Sequence, residues 1–144
     1  YELSNFGKEN YFSQNNSGYW LGKKYVGIGP SAHSFDGQVR SWNVSNNIKY
    51  INSIALNILP SEKEVLSQSD QYNEYVMTGL RTIWGVSFSK IENDFGLKFL
   101  NYISKNAQKF CDRKQLILEN NILKATSEGK FFIDGIAAEL FWVD

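Results

Sequence analysis

Gln115-Leu-Ile-Leu-Glu-Asn-Asn-Ile-Leu-Lys-Ala125 sets two short apolar runs on either side of an Asn-Asn pair. Asparagine tolerates the left-handed backbone of a tight two-residue turn, so the spacing predicts a β-hairpin with Asn120 and Asn121 at its tip. Helical patterns precede it. Tyr72, Tyr75, Val76, Leu80 and Ile83 recur at helical spacing, with Gly85 placed to end that helix. Ser87 starts a shorter helix bearing Phe88, Ile91 and Phe95 and closed by Gly96, and Leu100, Ile103, Ala107 and Phe110 mark a third. After the hairpin, Thr126 or Ser127 caps a final helix with Ile133, Ile136, Ala137 and Leu140 turned inward. Three helices followed by a hairpin is the order of a winged helix.

The first part of the chain reads differently. Residues 1–44 are rich in Tyr, Phe, Trp, Gly and Asn and suggest loops and short strands. Tyr25-Val26-Gly27-Ile28 is strand-like, and Gln38 to Val44 alternates apolar and polar residues as a half-buried strand does. Ser45 is placed to cap a helix through Leu56, with Ile48, Ile51 and Ala55 on one face; Pro60 and the polar run after it read as a linker. The expected fold class is α+β, with residues 1–60 forming one part and 61–144 a helical, winged-helix-like domain.

Composition narrows the function classes. Fifteen Lys and Arg balance fifteen Asp and Glu, so the net charge is zero, which argues mildly against a nucleic-acid partner. Cys111 is the only cysteine, so the chain can form no internal disulfide and supply no thiolate cluster for zinc or iron. Without a signal peptide the expected location is cytoplasmic, and no apolar run approaches a membrane span. The chain opens on Tyr1 rather than Met, which suggests a segment cut from a longer protein.

Three stretches qualify as candidate sites. Gly27-Ile-Gly29-Pro-Ser-Ala32 matches G-x-G-x-x-A, but Pro30 and the nearby Asp36-Gly37 leave no room for the long helix a dinucleotide fold needs. No acidic residue lies between Gly37 and Pro60 either, so the nucleotide reading fails. His33, the only histidine, has no second imidazole or carboxylate pair at metal spacing, and is read first as a residue that ties its loop together. In Asn15-Asn16-Ser-Gly-Tyr19-Trp20, adjacent aromatics can cover a flat ligand, although an ordinary packed pair is the commoner case. Lys98, Lys105 and Lys109 occupy the third helix, with Lys124 and Lys130 on or near the hairpin. That is where a winged-helix DNA reader would carry them, but Arg and Gln, the better base readers, are scarce there. No catalytic residue and no metal ligand is assigned.

Several stretches taken in order resemble one family. They are Tyr1 to Phe6, Asn16 to Trp20, Tyr25 to Phe35, Arg40 to Val44, Tyr72 to Tyr75, Gly79 to Thr82 and Phe132 to Ala137. Together they are similar to the C-terminal part of the oxygen-independent coproporphyrinogen III oxidase-like radical SAM proteins, and the Gly-Pro-Ser-Ala-His-Ser form resembles the heme-chaperone branch. The resemblance implies that residues 1–60 are the last strands and a helix of a partial α/β barrel. The barrel would bind a 4Fe–4S cluster through Cys-x-x-x-Cys-x-x-Cys and S-adenosylmethionine. Nothing in this chain matches that motif, so this segment alone would bind neither and would make no radical. The branch's His-Asn-x-x-Tyr-Trp heme motif falls on Asn15, Asn16, Tyr19 and Trp20, with Asn15 where the family has His. An amide is a poor substitute for an imidazole ligand of heme iron. Gly27, Gly29, Pro30 and His33 would line the tetrapyrrole or cofactor pocket. The implied function is heme binding and delivery to an acceptor protein, in contact with the rest of the barrel. The alternatives are the decarboxylating oxidase of porphyrin biosynthesis and a winged-helix DNA binder.

Overall fold

A computed structural model describes all residues, Tyr1 to Asp144. It has six α-helices and two three-stranded antiparallel sheets, a mixed α and β composition. Compactness divides the chain into two units. One joins Tyr1–Leu21 to Gln68–Asp144, and the other is Gly22–Ser67. This division differs from a cut at residue 60, because the N-terminal segment is packed with the C-terminal half.

The larger unit contains helix α1 (Gln14–Trp20), α3 (Gln68–Leu80), strand β4 (Val86–Ser87), α4 (Phe88–Phe95), α5 (Leu97–Asp112), the hairpin β5 (Leu116–Glu119) and β6 (Ile122–Ala125), a 3-10 turn (Gly129–Phe132) and α6 (Ile133–Glu139). The hairpin forms as its sequence dictates. Asn120 and Asn121 take φ of 50° and 61°, and β6 pairs with both β5 and β4 in the order β4-β6-β5. Ser87 caps α4 by accepting from the Lys90 amide, and Gly96, at φ 94°, closes it. The core is built from Tyr72, Val76 and Leu80 of α3, Ile91 of α4, Ile103 of α5, Leu116 and Leu123 of the hairpin and Leu140 after α6, all at most 2% exposed. The Tyr72 hydroxyl donates to the Leu140 carbonyl (3.0 Å), which satisfies its one polar atom inside that core. Gly79 is required where α3 meets β4, since a Cβ there would sit 2.7 Å from Val86 Cγ2.

Helix α1 corrects the expectation of loops and strands over residues 1–44. It has no buried residue, so no apolar period marks it; its signal is Ser13, whose hydroxyl accepts from the Asn16 amide. The final helix is also staged. Neither Thr126 nor Ser127 caps α6, which starts at Ile133 with Phe132 at its N-cap; the Thr126 hydroxyl instead accepts from the Gly129 amide (3.0 Å) at the start of the 3-10 turn.

The smaller unit holds β1 (His33–Phe35), β2 (Val39–Asn43), α2 (Asn47–Ala55) and β3 (Ser61–Val65), with sheet order β1-β2-β3. Asp36 makes the first turn by accepting from the Gln38 and Val39 amides. Residues 61–65, expected as linker, are strand β3, in register with β2 from Asn43↔Ser61 to Val39↔Val65. All but Ser61 are exposed, so no alternation betrays the strand. Tyr25 to Ile28, expected as a strand, makes one bridge, Tyr25 to Phe35. Asn46 rather than Ser45 caps α2, and the face bearing Ile48 and Ile51 is exposed, at 72% and 64%.

No helix is long and apolar enough to cross a membrane.

Candidate functional site

Two places gather the residues singled out in the sequence, one in each unit. In the larger unit, α1 carries Asn15, Asn16, Tyr19 and Trp20 on one short turn-and-a-half. Asn15 is exposed, and Tyr19 is 57% exposed with its ring edge-on to Trp20 at 5.5 Å between centroids. Asn16 is anchored instead: its Nδ2 donates to Asn5 Oδ1 (3.0 Å), and Asn5 Nδ2 donates in turn to the Glu2 carboxylate.

Glu2 is the centre of this anchor. Its side chain is fully buried, yet it accepts from Ser4 N (2.9 Å), Ser4 Oγ (2.7 Å) and Arg81 Nε (3.1 Å). Burial acts to raise its carboxyl, but the hydrogen bonds from Ser4, Asn5 and Arg81 outweigh that and hold it down at about 2. Arg81 bridges Glu2 to Asp134 of α6 (2.6 Å), and its guanidinium lies 5.9 Å from the centre of the Trp20 ring. Burial would lower the Arg81 guanidinium, and its two carboxylate partners raise it. Trp20 is therefore tied electrostatically to the end of α3 and to α6, while Tyr19 is the more exposed of the pair.

In the smaller unit, β1 and β2 set His33 opposite Trp42, with ring centroids 6.2 Å apart. Trp42 Nε1 donates to Glu62 Oε2 of β3 (3.1 Å). These side chains, with Ser31, Asn43, Asn46 and Lys49, line a cavity of about 430 Å³. Its size lies within the range of small-molecule sites. Gly27 and Gly29 shape the loop behind it rather than its wall. A Cβ on Gly27 would fall 2.2 Å from the His33 carbonyl oxygen, so the close approach that glycine allows there is to the chain's own backbone. Gly29, at φ 104°, has its carbonyl held by Asn43 Nδ2 (2.9 Å) and its amide by the Tyr50 hydroxyl (3.2 Å). Pro30 is exposed at the loop tip.

The candidate residues thus fall into two sets in separate units: Asn15, Asn16, Tyr19 and Trp20 on α1, and Gly27, Gly29, Pro30 and His33 around β1. Sequence reading missed Glu2 and Arg81, which lie far apart in the chain, and missed Lys49 and Glu62 at the cavity. Glu62 was legible only to a reader who had already paired residues 61–65 with β2. Iron–sulfur chemistry has no ligand set here. Cys111 is the single thiol, half-buried at the end of α5, and burial, then the Asp112 charge, pushes it up and away from thiolate.

Residues 66–132 match the HemN C-terminal domain family. The heme chaperone HemW of Lactococcus lactis subsp. lactis (strain IL1403) is 30% identical over 149 residues, which cover 94% of this chain and 38% of that protein. The mitochondrial radical S-adenosyl methionine domain-containing protein 1 of Danio rerio is 28% identical over 148 residues, covering 94% of this chain and 33% of that one. Among solved structures, coproporphyrinogen III oxidase (HemN) from Escherichia coli, a radical SAM enzyme, matches with a TM-score of 0.63 and 19% identity over 83% of this chain and 28% of that one. The chain spans about a third of the length of these relatives. Residues 66–132 are therefore a HemN C-terminal domain, and over most of its length the chain is similar to heme chaperone HemW and radical SAM domain proteins.

Proposed function

We propose that this chain is the C-terminal portion of a heme-chaperone-like radical SAM protein, and that it supplies heme-contacting surface rather than radical chemistry. The observation that carries this reading is similarity over 94% of the chain to a protein named heme chaperone. The exposed Tyr19 beside Trp20 supports it, as an aromatic pair open to one face of a porphyrin. With Asn15 in the position of the family's His, α1 offers no imidazole; a separate candidate lies within the smaller unit, where the exposed His33 imidazole could ligate iron and Lys49 in the same cavity suits a propionate. In the whole protein, the 4Fe–4S cluster and S-adenosylmethionine would belong to a barrel whose last strands and helix are residues 1–60. Residues 61–144 would be a winged-helix-like cover, and heme would pass to an acceptor protein in the cytoplasm. The helix, strand, two helices and hairpin of the larger unit support the winged-helix reading. DNA reading is disfavoured by α5 itself: Lys98 lies over the Trp142 ring (4.3 Å) and Lys109 pairs with Glu139, so two of its three lysines are engaged internally.

A hemin titration followed in the Soret band tests the proposal. Saturable binding by the chain, lost in either His33→Ala or Trp20→Ala, is expected, and the variant that loses it names the unit that holds heme. Binding that is indifferent to both variants, or absent in the parent and in Asn15→His, contradicts it. Decarboxylation of coproporphyrinogen III by protein that includes the barrel would favour the oxidase instead.

A further inference from the structure

A second groove lies in the larger unit, with no α1 residue in its lining. It is lined by Phe110, Phe131, Phe132 and Ile136, with Arg113 and Lys130 among them, and encloses about 450 Å³. Phe131 and Phe132 are adjacent, and they are 86% and 56% exposed. Two neighbouring phenylalanines left in water are costly for the chain alone and are the usual anchors of a protein interface.

The charges around the groove are not balanced. Of its two carboxylates, Glu139 is paired with Lys109, and Asp134 shares Arg81 with Glu2. Its two cations, Arg113 and Lys130, have no ion pair or side-chain hydrogen bond. The surface is also built in advance. The Thr126 hydroxyl donates to the Lys114 carbonyl (2.7 Å) and accepts from the Gly129 amide, and the Thr126 amide donates to the Gln115 carbonyl (3.1 Å). Gly129 packs so closely that a Cβ would meet Gln115 O at 1.8 Å. The turn that carries Lys130, Phe131 and Phe132 is therefore clamped to the end of the helix that leads to Arg113, and binding need not order it.

We propose that this groove docks an acidic segment of a partner protein, with an apolar side chain seated between Phe131, Phe132 and Ile136 and its flanking carboxylates on Arg113 and Lys130. Heme has similar apolar and anionic character, but no His, Cys, Met or Tyr lines the groove to ligate iron. A membrane surface is too flat to enter a concave site. The inference stands apart from the heme reading and is tested without hemin.

The test is a heteronuclear NMR titration of the 144-residue chain with the synthetic peptide Asp-Glu-Leu-Phe-Glu-Asp. Saturable shifts confined to the amides around Arg113, Lys130, Phe131 and Phe132 are expected. They should be absent with a peptide whose acids are replaced by Lys, and affinity should fall about tenfold in R113E/K130E. Phe131→Ala, at an exposed position that leaves the core intact, should weaken binding as well. No shift, or shifts elsewhere, overturns the proposal. So does movement of the same amides on phosphatidylglycerol vesicles without peptide response. Shifts there on raising protein concentration alone would assign the groove to a second copy of the chain and equally overturn it.

Discussion

Residues Tyr1–Leu21 with Gln68–Asp144 and residues Gly22–Ser67 solve the problem of burial in opposite ways. The first unit closes sixteen apolar side chains into one core, from Tyr72 to Leu140. The second buries Leu66 and little else that is apolar, and its interior polar residue, Asn43, bonds the loop at Gly29. Meanwhile Val26, Ile28, Ile48, Ile51, Leu56 and Val65 stand at 64–89% exposure. Hydrophobic burial is the main favourable term in folding, so the first unit carries its own stability and the second is held chiefly by its strand ladder and turns.

Truncating the core should show this contrast most strongly. Leu123→Ala is expected to cost about 3 kcal/mol in chemical denaturation, whereas Leu66→Ala should leave the main transition nearly unmoved. Equal losses would erase the distinction.

Acid should reach the first unit through Glu2. Its carboxyl is held at about 2, against an ordinary 4.5, so its contribution is present above pH 4.5 and is lost as pH falls towards 2. The contribution is up to about 3 kcal/mol, and Glu2→Gln should flatten the stability–pH curve across that window. An unchanged curve would mean that the Ser4, Asn5 and Arg81 bonds do not select the ionised form.

In the second unit, Gly27→Ala forces a Cβ onto the His33 backbone and should cost about 1–3 kcal/mol locally, read as a change in Trp42 fluorescence with little change in global unfolding. The smallest effect belongs to Ile51→Lys. On the exposed face of α2 it should shift stability by no more than about 0.5 kcal/mol, and a larger loss would show that this face is covered in solution.

The same contrast explains what could be read from the sequence. Where a core exists, residues inherit its period. The inward set Ile133, Ile136, Ala137 and Leu140 is legible for that reason, and Ser87, Gly96 and the Asn120-Asn121 turn are legible from cap and turn chemistry at the ends of such periods. Where little is buried, the pattern disappears. Helix α1 and strand β3 have almost no apolar alternation, so no period marks either as a regular element. For α2 the period was visible, but it marks an exposed face. The Glu2–Arg81 pair joins residues 79 positions apart, and only the folded chain brings them together. The α1 aromatic pair and the His33 loop stand out by residue type and by the Gly27–Ala32 spacing rather than by periodicity, and only their link to heme comes from the family resemblance.

Amide hydrogen exchange read by mass spectrometry, on the chain as it stands, tests most directly the division into a self-supporting unit and a weakly buried one. Slow, globally limited exchange in α3, α5 and β6, with much faster exchange through β1, β2 and β3, is the expected result. Uniform protection across both units would contradict it, because a sheet with so little buried apolar surface would then be as stable as the core beside Tyr72.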